Sequence, residues 1–265
     1  MALVLTSLTL FPVKSCAPVP VNRVRIALAG PEWDREWMIV GKEGHFVTQR
    51  EIPRLALVQP HLDLEGGALS LGPLGQTARV EVPLRSEGKT LEVEIWGKSV
   101  PALYEGLAAS TWLSDFIGTP LHLVRITPAN RRYEGNDPRT VRFMDSYPLH
   151  LCSLSTLADL NARLSAPLEM QRFRPNLVVS GAVPWAEDDW KSISIAGSRF
   201  RFAKRCERCP ITTVDPLTAL KGFEPLKTLA GFRRNARNQV EFGQYLHSVP
   251  GAELAVGMEV TPDLS

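Results

Sequence analysis

The stretch "KRCERCPITTVDP" (Lys204–Pro216) sets two cysteines, Cys206 and Cys209, three positions apart among Lys204, Arg205 and Arg208. Pro210 and the run Ile211–Val214 follow, and β-branched residues in that density predict a strand after the second thiol. A structural zinc site needs four ligands, as two such pairs or a pair with closely spaced histidines. There is no second pair, and His45, His61, His122, His150 and His247 stand apart from one another. A thiol–disulfide motif places its pair at the start of a helix, which the strand-forming residues oppose. Two buried, inert cysteines fit the spacing, although the flanking cations favour a thiolate. The remaining reading is a single thiolate ligating a soft transition metal that arrives inside an anionic cofactor, with the cations serving both.

Composition narrows the setting. The chain has 265 residues, 44% of them hydrophobic and 22% charged, enough for one large domain or two small ones with a buried core. With 21 prolines and 19 glycines, many short strands and turns are expected. A formal net charge of +2 gives no argument for a nucleic acid partner. Four cysteines, Cys16, Cys152, Cys206 and Cys209, are too sparse for a disulfide-dense secreted scaffold. "ALVLTSLTLFPVKSC" lacks a basic segment before its short, Thr- and Ser-interrupted apolar run, so it reads as a strand and not an export signal. No apolar stretch reaches the ~18–20 residues of a membrane span, and the expected location is the cytoplasm without membrane attachment.

Period-two runs recur along the chain. "EWMIV" and "HFVTQ" flank Gly41–Gly44, and "LALVQPHLDL" and "ALSLG" flank Glu65–Gly67, two hairpin signals. "ARVEVPL", "LEVEIWG" and "LHLVRIT" continue the strands, and "YEGLAASTWLSDFIG" predicts a helix ending at Gly118. Residues Thr127–Thr140 have loop composition and mark a soft domain boundary. "SLSTLADLNARL" sets Leu154, Leu157, Leu160 and Leu164 on one helix face, with Ser153 or Ser155 as N-cap. "NLVVSG", "KSISIAG", "RFRFAKR", "ITTVD", "EFGQYLHSV" and "AELAVGMEVT" read as strands, and "PLKTLAGF" as a short helix. The expected class is mostly β (α+β), barrel-like, with a few packed helices.

"RCPITTVDP" (Arg208–Pro216) resembles the cysteine motif of the MOSC family, in particular the subgroup of the mitochondrial amidoxime-reducing component and its bacterial relatives. "FPVKSC" (Phe11–Cys16), "DREWMIV" (Asp34–Val40), "TQREIPRL" (Thr48–Leu55), "ADLNARL" (Ala158–Leu164), "FRPNLVVSG" (Phe173–Gly181), "EDDW" (Glu187–Trp190) and "FGQYL" (Phe242–Leu246) are similar to further blocks of that subgroup, in the same order. The resemblance implies a β-rich MOSC N-terminal domain over residues 1–125 and a MOSC β-barrel domain over 126–265, with a molybdopterin-type molybdenum cofactor in the cleft between them. The family also carries a pyridoxal phosphate label.

The resemblance assigns the metal ligand to Cys209, a soft donor suited to a metal already held by dithiolene sulfurs, and sets Cys206 outside the metal's coordination shell. It implies that Lys14 pairs with the cofactor phosphate, that Ser15 donates a hydrogen bond and that Arg35 offers its planar fork. Arg174 and Asn176, two apart on an extended segment, share a face toward the cleft. Asp145, Ser146 and Tyr147 match a motif position at which a small hydroxyl residue is expected in place of Tyr147. Arg50 and Thr213 are further cofactor candidates, while Asp215 is expected to hold the turn at Pro216.

The implied activity is reduction of N-hydroxylated compounds, amidoximes or hydroxylamines, to the amine or amidine, with the oxygen leaving as water. No cysteine follows Cys209, so the C-x₄-C-x₂-C spacing of a plant-type ferredoxin domain is absent from this sequence. A separate electron-transfer protein, a ferredoxin or cytochrome-type reductase, is therefore expected. The alternative is a carrier of the cofactor or of sulfur without turnover, as MOSC domains also stand at the end of molybdenum-cofactor sulfurases.

Overall fold

The computed structural model describes residues 2–85, 88–127 and 141–264. Most of the expected loop 127–140 lies outside the described residues. In chain order the strands are β1 (Val4–Leu10), β2 (Val19–Val21), β3 (Arg23–Ala27), β4 (Gly30–Pro31), β5 (Trp37–Gly41), β6 (Val58–Asp63), β7 (Ala68–Pro73), β8 (Val80–Pro83) and β9 (Thr90–Ile95). They continue as β10 (Lys98–Tyr104), β11 (Leu121–Ile126), β12 (Leu149–Ser153), β13 (Leu177–Ser180), β14 (Ser192–Ile195), β15 (Ser198–Glu207), β16 (Glu241–Leu246), β17 (Glu253–Ala255) and β18 (Val260–Asp263). Three helices interrupt them: α1 (Leu107–Ile117), α2 (Leu154–Asn161) and α3 (Leu226–Ala230). The class is β-rich with a few helices, as expected. No helix of the described residues is long and apolar enough to cross a membrane.

The largest sheet has eight strands in the order β18-β14-β15-β16-β12-β13-β1-β2. It takes β1 and β2 from the start of the chain: Val4 lies opposite Ser180 and Leu8 opposite Leu177 in an antiparallel pair. Only β12 and β13 run parallel, joined by α2 as the crossover that such a pair requires. A four-stranded sheet (β5-β11-β10-β9) and two three-stranded sheets (β6-β7-β8 and β17-β3-β4) complete the fold. The inward residues of β1, β12, β13, β15 and β16 form one core around Leu5, Leu151, Leu177, Phe200 and Leu246. A second core gathers Trp37, Leu55, Leu69, Leu71 and Leu123 under α1 through Leu113. Gly118 caps α1 in the left-handed conformation, and Ser153 is the N-cap of α2.

Three local expectations are corrected. "ITTVD" is not a strand: Pro210–Thr213 is a 3₁₀ turn with Cys209 as its N-cap. Pro210 presets the first turn, and the threonine hydroxyls donate back into it, Thr212 Oγ1 to Cys209 O at 3.1 Å and Thr213 Oγ1 to Pro210 O at 2.8 Å. Beyond Gly44 the segment His45–Gln49 makes only single bridges, Val40 with Phe46 and His45 with Glu94, because its hydrogen bonds are shared between β5 (Gly41 N to His45 O, Val47 N to Ile39 O) and β9 (Phe46 N to Glu94 O). The closing segment splits into β17 and β18 around a turn at Gly257, φ +91°.

Candidate functional site

The open ends of the large sheet face the turns that precede and follow β5, and a cavity of about 700 Å³ lies between them. Nine of the ten site candidates line it: Lys14, Ser15, Arg35, Arg50, Ser146, Tyr147, Arg174, Asn176 and Cys209. Thr213 does not. Its side chain is turned back into the 3₁₀ turn, where it holds the loop that carries Cys209. Asp215, as expected, works as a turn residue. Its Oδ1 accepts from Leu217 N and Thr218 N, both at 2.9 Å, and its Oδ2 from Arg172 at 2.6 Å.

Three of the nine, Ser15, Arg35 and Arg174, have left-handed backbones, with φ of +66°, +47° and +53°. Each costs roughly 1–2 kcal/mol in a non-glycine residue, and the surroundings hold each in place. Ser15 sits in the Val13–Cys16 turn, closed by Cys16 N donating to Val13 O at 3.1 Å, with Lys14 N bonded to Trp37 O at 2.8 Å. Arg35 follows buried Asp34, whose Oδ1 accepts from Phe11 N at 2.8 Å while Arg35 N donates to Phe11 O at 2.9 Å. Arg174 closes a 3₁₀ turn just before Pro175. The strain turns these side chains toward the cavity where an extended backbone would carry them past it.

Charge on this wall is graded. The Asp145 carboxylate accepts from Lys14 Nζ and, at 2.9 Å, from Arg50. Burial pushes that carboxyl up, but Lys14 and Arg50 outweigh it and hold it well below the usual carboxylate range. Arg50 and Cys209 line the same cavity, so the guanidinium that holds the acid also shares a space with the sulfur. Arg35 pairs with Asp34, and both Arg35 and Arg174 lie over the Phe11 ring, at 4.4 and 4.1 Å. Burial, reinforced by Arg35, pulls the Arg174 guanidinium down to about 9. Among the described residues Lys14, Arg35, Arg50 and Arg174 meet two carboxylates, Asp34 and Asp145, a balance of positive charge that an anion would neutralise.

Asn176 spends most of its hydrogen-bonding capacity within the protein. Its Oδ1 accepts from Arg35 at 3.2 Å and from His150 N at 3.3 Å, and its Nδ2 donates to Thr9 O at 3.1 Å. It ties β1, β12 and Arg35 together, and of its two N–H donors Thr9 takes one.

The opposite wall is built on sulfur. Cys209 is part-exposed, whereas Cys206 and Cys152 are buried. Burial pushes the Cys206 and Cys152 thiols up, so both are neutral. Arg208 NH1 donates to Cys206 Sγ at 2.6 Å and lies 3.4 Å from His150 Nε2, while NH2 donates to Phe173 O at 2.8 Å. Arg208 thereby ties the cysteine loop to the Phe173–Asn176 segment, and its buried Nε has no partner among the described residues. Burial and Arg208 hold His150 well below its ordinary pKa, as a neutral imidazole. Tyr245, on the adjacent strand, stands opposite His150 with the ring centroids 5.4 Å apart. Gly243 makes room for all of this: a Cβ there would stand 2.5 Å from His150 Nε2 and 2.8 Å from Cys152 Sγ, and its φ is +78°.

Trp96, His150, Arg208 and Tyr245 line the cavity without having been site candidates. Trp96 stands at a tight β9–β10 turn (φ +53°) with the Arg50 guanidinium 4.9 Å from its ring. Its signal was a tryptophan before a glycine in a turn, an unusual place for so large an apolar residue. His150 and Tyr245 carried no local signal, because adjacent-strand pairing alone brings them together.

Residues 2–120 match the model of the MOSC N-terminal beta barrel domain, and residues 138–261 match that of the MOSC domain. The frog (Xenopus laevis) mitochondrial amidoxime-reducing component 1 is 31% identical over 91% of this chain and 77% of its own length. The chain belongs to the MOSC family. The human mitochondrial amidoxime-reducing component 1 is 31% identical over 86% of this MOSC chain and 71% of its own. The rice molybdenum cofactor sulfurase is 32% identical over 97% of this chain, which spans only 35% of the sulfurase. These relatives make the chain a molybdenum-cofactor-related MOSC protein. Its cavity suits an anionic, sulfur-bearing group: excess cations on one wall, a part-exposed thiol on the other, and an unpartnered guanidinium N–H beside it.

Proposed function

We infer that this protein binds a molybdopterin-type molybdenum cofactor and reduces N-hydroxylated compounds, taking up two electrons and two protons per N–OH group and releasing the amine or amidine and water. The observation that carries the reading is the gathering of Cys209 with Lys14, Arg35, Arg50 and Arg174 around one cavity. Cys209 would ligate the metal. Lys14, Arg35 and Arg174 would pair with the phosphate, and Ser15, Ser146 and the second Asn176 N–H would bond the pterin edge. The bound cofactor supplies the two-electron oxygen-transfer chemistry.

The chain's own residues supply the rest. Asp145 fixes Lys14 and Arg50, so that the cations are oriented before a ligand arrives. The neutral His150 and Tyr245 leave Arg208 as the charge beside them, so they add polar but uncharged groups to that side of the cavity. Electrons come from a separate electron-transfer protein, and the reaction takes place in the cytoplasm.

The test is metal analysis of protein expressed in a cofactor-producing host, beside Cys209→Ala, followed by turnover of an aryl amidoxime with reduced methyl viologen. Near-stoichiometric molybdenum in the wild type, its reduction in Cys209→Ala and amidine formation by the wild type alone are expected. Molybdenum retained without turnover of any N-hydroxylated compound would instead identify a carrier, the reading that the match to the sulfurase over nearly the whole chain favours.

A further inference from the structure

Three large apolar side chains stand exposed within seven residues just beyond the cysteine loop: Leu217 at 57%, Leu220 at 70% and Phe223 at 82%. The loop that displays them is not loose. Asp215 caps it through Leu217 N and Thr218 N, Ala219 N donates to Asp215 O at 2.8 Å, Asp215 N to Leu220 O at 2.8 Å and Gly222 N to Thr213 O at 2.9 Å. Lys221 Nζ donates to Arg50 O at 2.6 Å, which fixes the loop to the cavity rim. An ordered turn that spends its backbone hydrogen bonds on holding apolar side chains in water is an interaction surface more than a folding feature.

The stretch that carries this patch is cationic. From Leu217 to Gln239 it holds Lys221, Lys227, Arg233, Arg234 and Arg237 against the single acid Glu224. Arg233 and Arg237 pair with Asp188 and Glu207 from elsewhere in the chain, so Lys221, Lys227 and Arg234 carry the remaining charge. Leu226, Asn238 and Gln239 of this stretch line the cavity, so the patch and its cations border the mouth through which Cys209 is reached. An apolar centre inside a charged rim is the anatomy of a protein interface, and the sign of the rim selects an acidic partner.

We propose that Leu217, Leu220 and Phe223, ringed by Lys221 and Lys227, dock a small acidic one-electron carrier protein that reduces the site. The proposal rests on the reductive reading above, which needs electrons delivered at this mouth. Weak redox encounters use small interfaces, and a patch of this size fits a partner that must also leave quickly. The cations would steer it, so its rate should fall as salt rises.

The probe is a reduced plant-type ferredoxin, compared with reduced methyl viologen, using cofactor-loaded full-length protein and an aryl amidoxime. Leu220→Ser/Phe223→Ser should lower the ferredoxin-driven rate about tenfold or more at low salt, and separately Lys227→Glu should lower it about threefold. The viologen-driven rate should stay unchanged, and the charge variant should show a weaker salt dependence. Equal ferredoxin-driven rates in wild type and both variants overturn the docking site, as does viologen turnover without any ferredoxin turnover. Sedimentation of the wild type, but not of Leu220→Ser/Phe223→Ser, with phosphatidylserine vesicles, at equal ferredoxin-driven rates, also overturns it and makes a membrane surface the occupant. A wild type that fails with viologen strikes the reductive reading itself, and the two failures are told apart by that arm.

Discussion

The two walls of the cavity solve one problem, aiming polar groups at a shared space, by opposite means. The wall of Lys14, Ser15, Arg35, Arg50 and Arg174 relies on left-handed backbones and ion pairs, and it stays charged. The wall of His150, Cys206, Arg208 and Tyr245 relies on adjacent strands and close packing around a glycine, and apart from its one guanidinium it is neutral. The first should therefore respond to ligands and salt, the second to changes of volume and to acid.

The sharpest way to break that contrast is Arg208→Ala. It removes the donor to Cys206 and to Phe173 O together and leaves a void, so a loss of about 2–4 kcal/mol is expected in urea unfolding. Arg174→Gln should cost far less in the cofactor-free protein, within about 1 kcal/mol, because it also removes a poorly compensated buried charge. The same change should abolish the thermal stabilisation that the bound cofactor gives the wild type. If Arg174→Gln proved as damaging as Arg208→Ala without ligand, the two walls would not differ in kind.

Next in size is Gly243→Ala. The added methyl meets His150, Leu151 O and Cys152 Sγ at a left-handed φ, and about 1–3 kcal/mol should be lost. A neutral effect would mean that the thiol wall is loosely packed.

The acid response follows from His150. Its folded-state pKa lies below the ordinary value of 6.5, so below that pH the unfolded chain binds a proton that the folded protein refuses. Stability is therefore full above the ordinary value and lost as pH falls beneath it. Thermal midpoints between pH 7 and pH 5 should drop more steeply in the wild type than in His150→Gln. Asp145, also depressed, is lost only at lower pH and leaves that window untouched.

The smallest effect is expected at Ser15→Gly, which relieves the left-handed strain at the expense of unfolded-state entropy. Apo stability should move by less than about 1 kcal/mol in either direction, while cofactor retention falls with the lost hydroxyl.

The same contrast explains what the sequence disclosed. The charged wall was legible because its residues sit in short local motifs, Lys14–Ser15, Arg35 after Asp34, Arg174 with Asn176, each a turn of a few residues. The sulfur wall was legible only at Cys209. His150, Tyr245 and Gly243 meet through the β12–β16 pairing, and no window of sequence contains that pairing. The misread "ITTVD" has the same origin: propensity favoured a strand, and a proline with two back-bonding threonines made a 3₁₀ turn. Thr213, in that same turn, donates back to Pro210 O and does not line the cavity.

The pairing of β1 with β13, and of β3 with β17, has a consequence for how the protein is made. Residues 4–8 lie against residues 177–180, and residues 23–25 against residues 253–255. A ribosome emitting this chain from its N-terminus releases β1 long before its neighbours exist, and contacts of such long sequence separation form late and slowly. Ser15 and Arg35 stand just beyond those waiting strands. The pocket is thus among the last parts of the molecule to close, and newly synthesised chains should be unable to capture an anionic ligand until β16 and β17 have emerged.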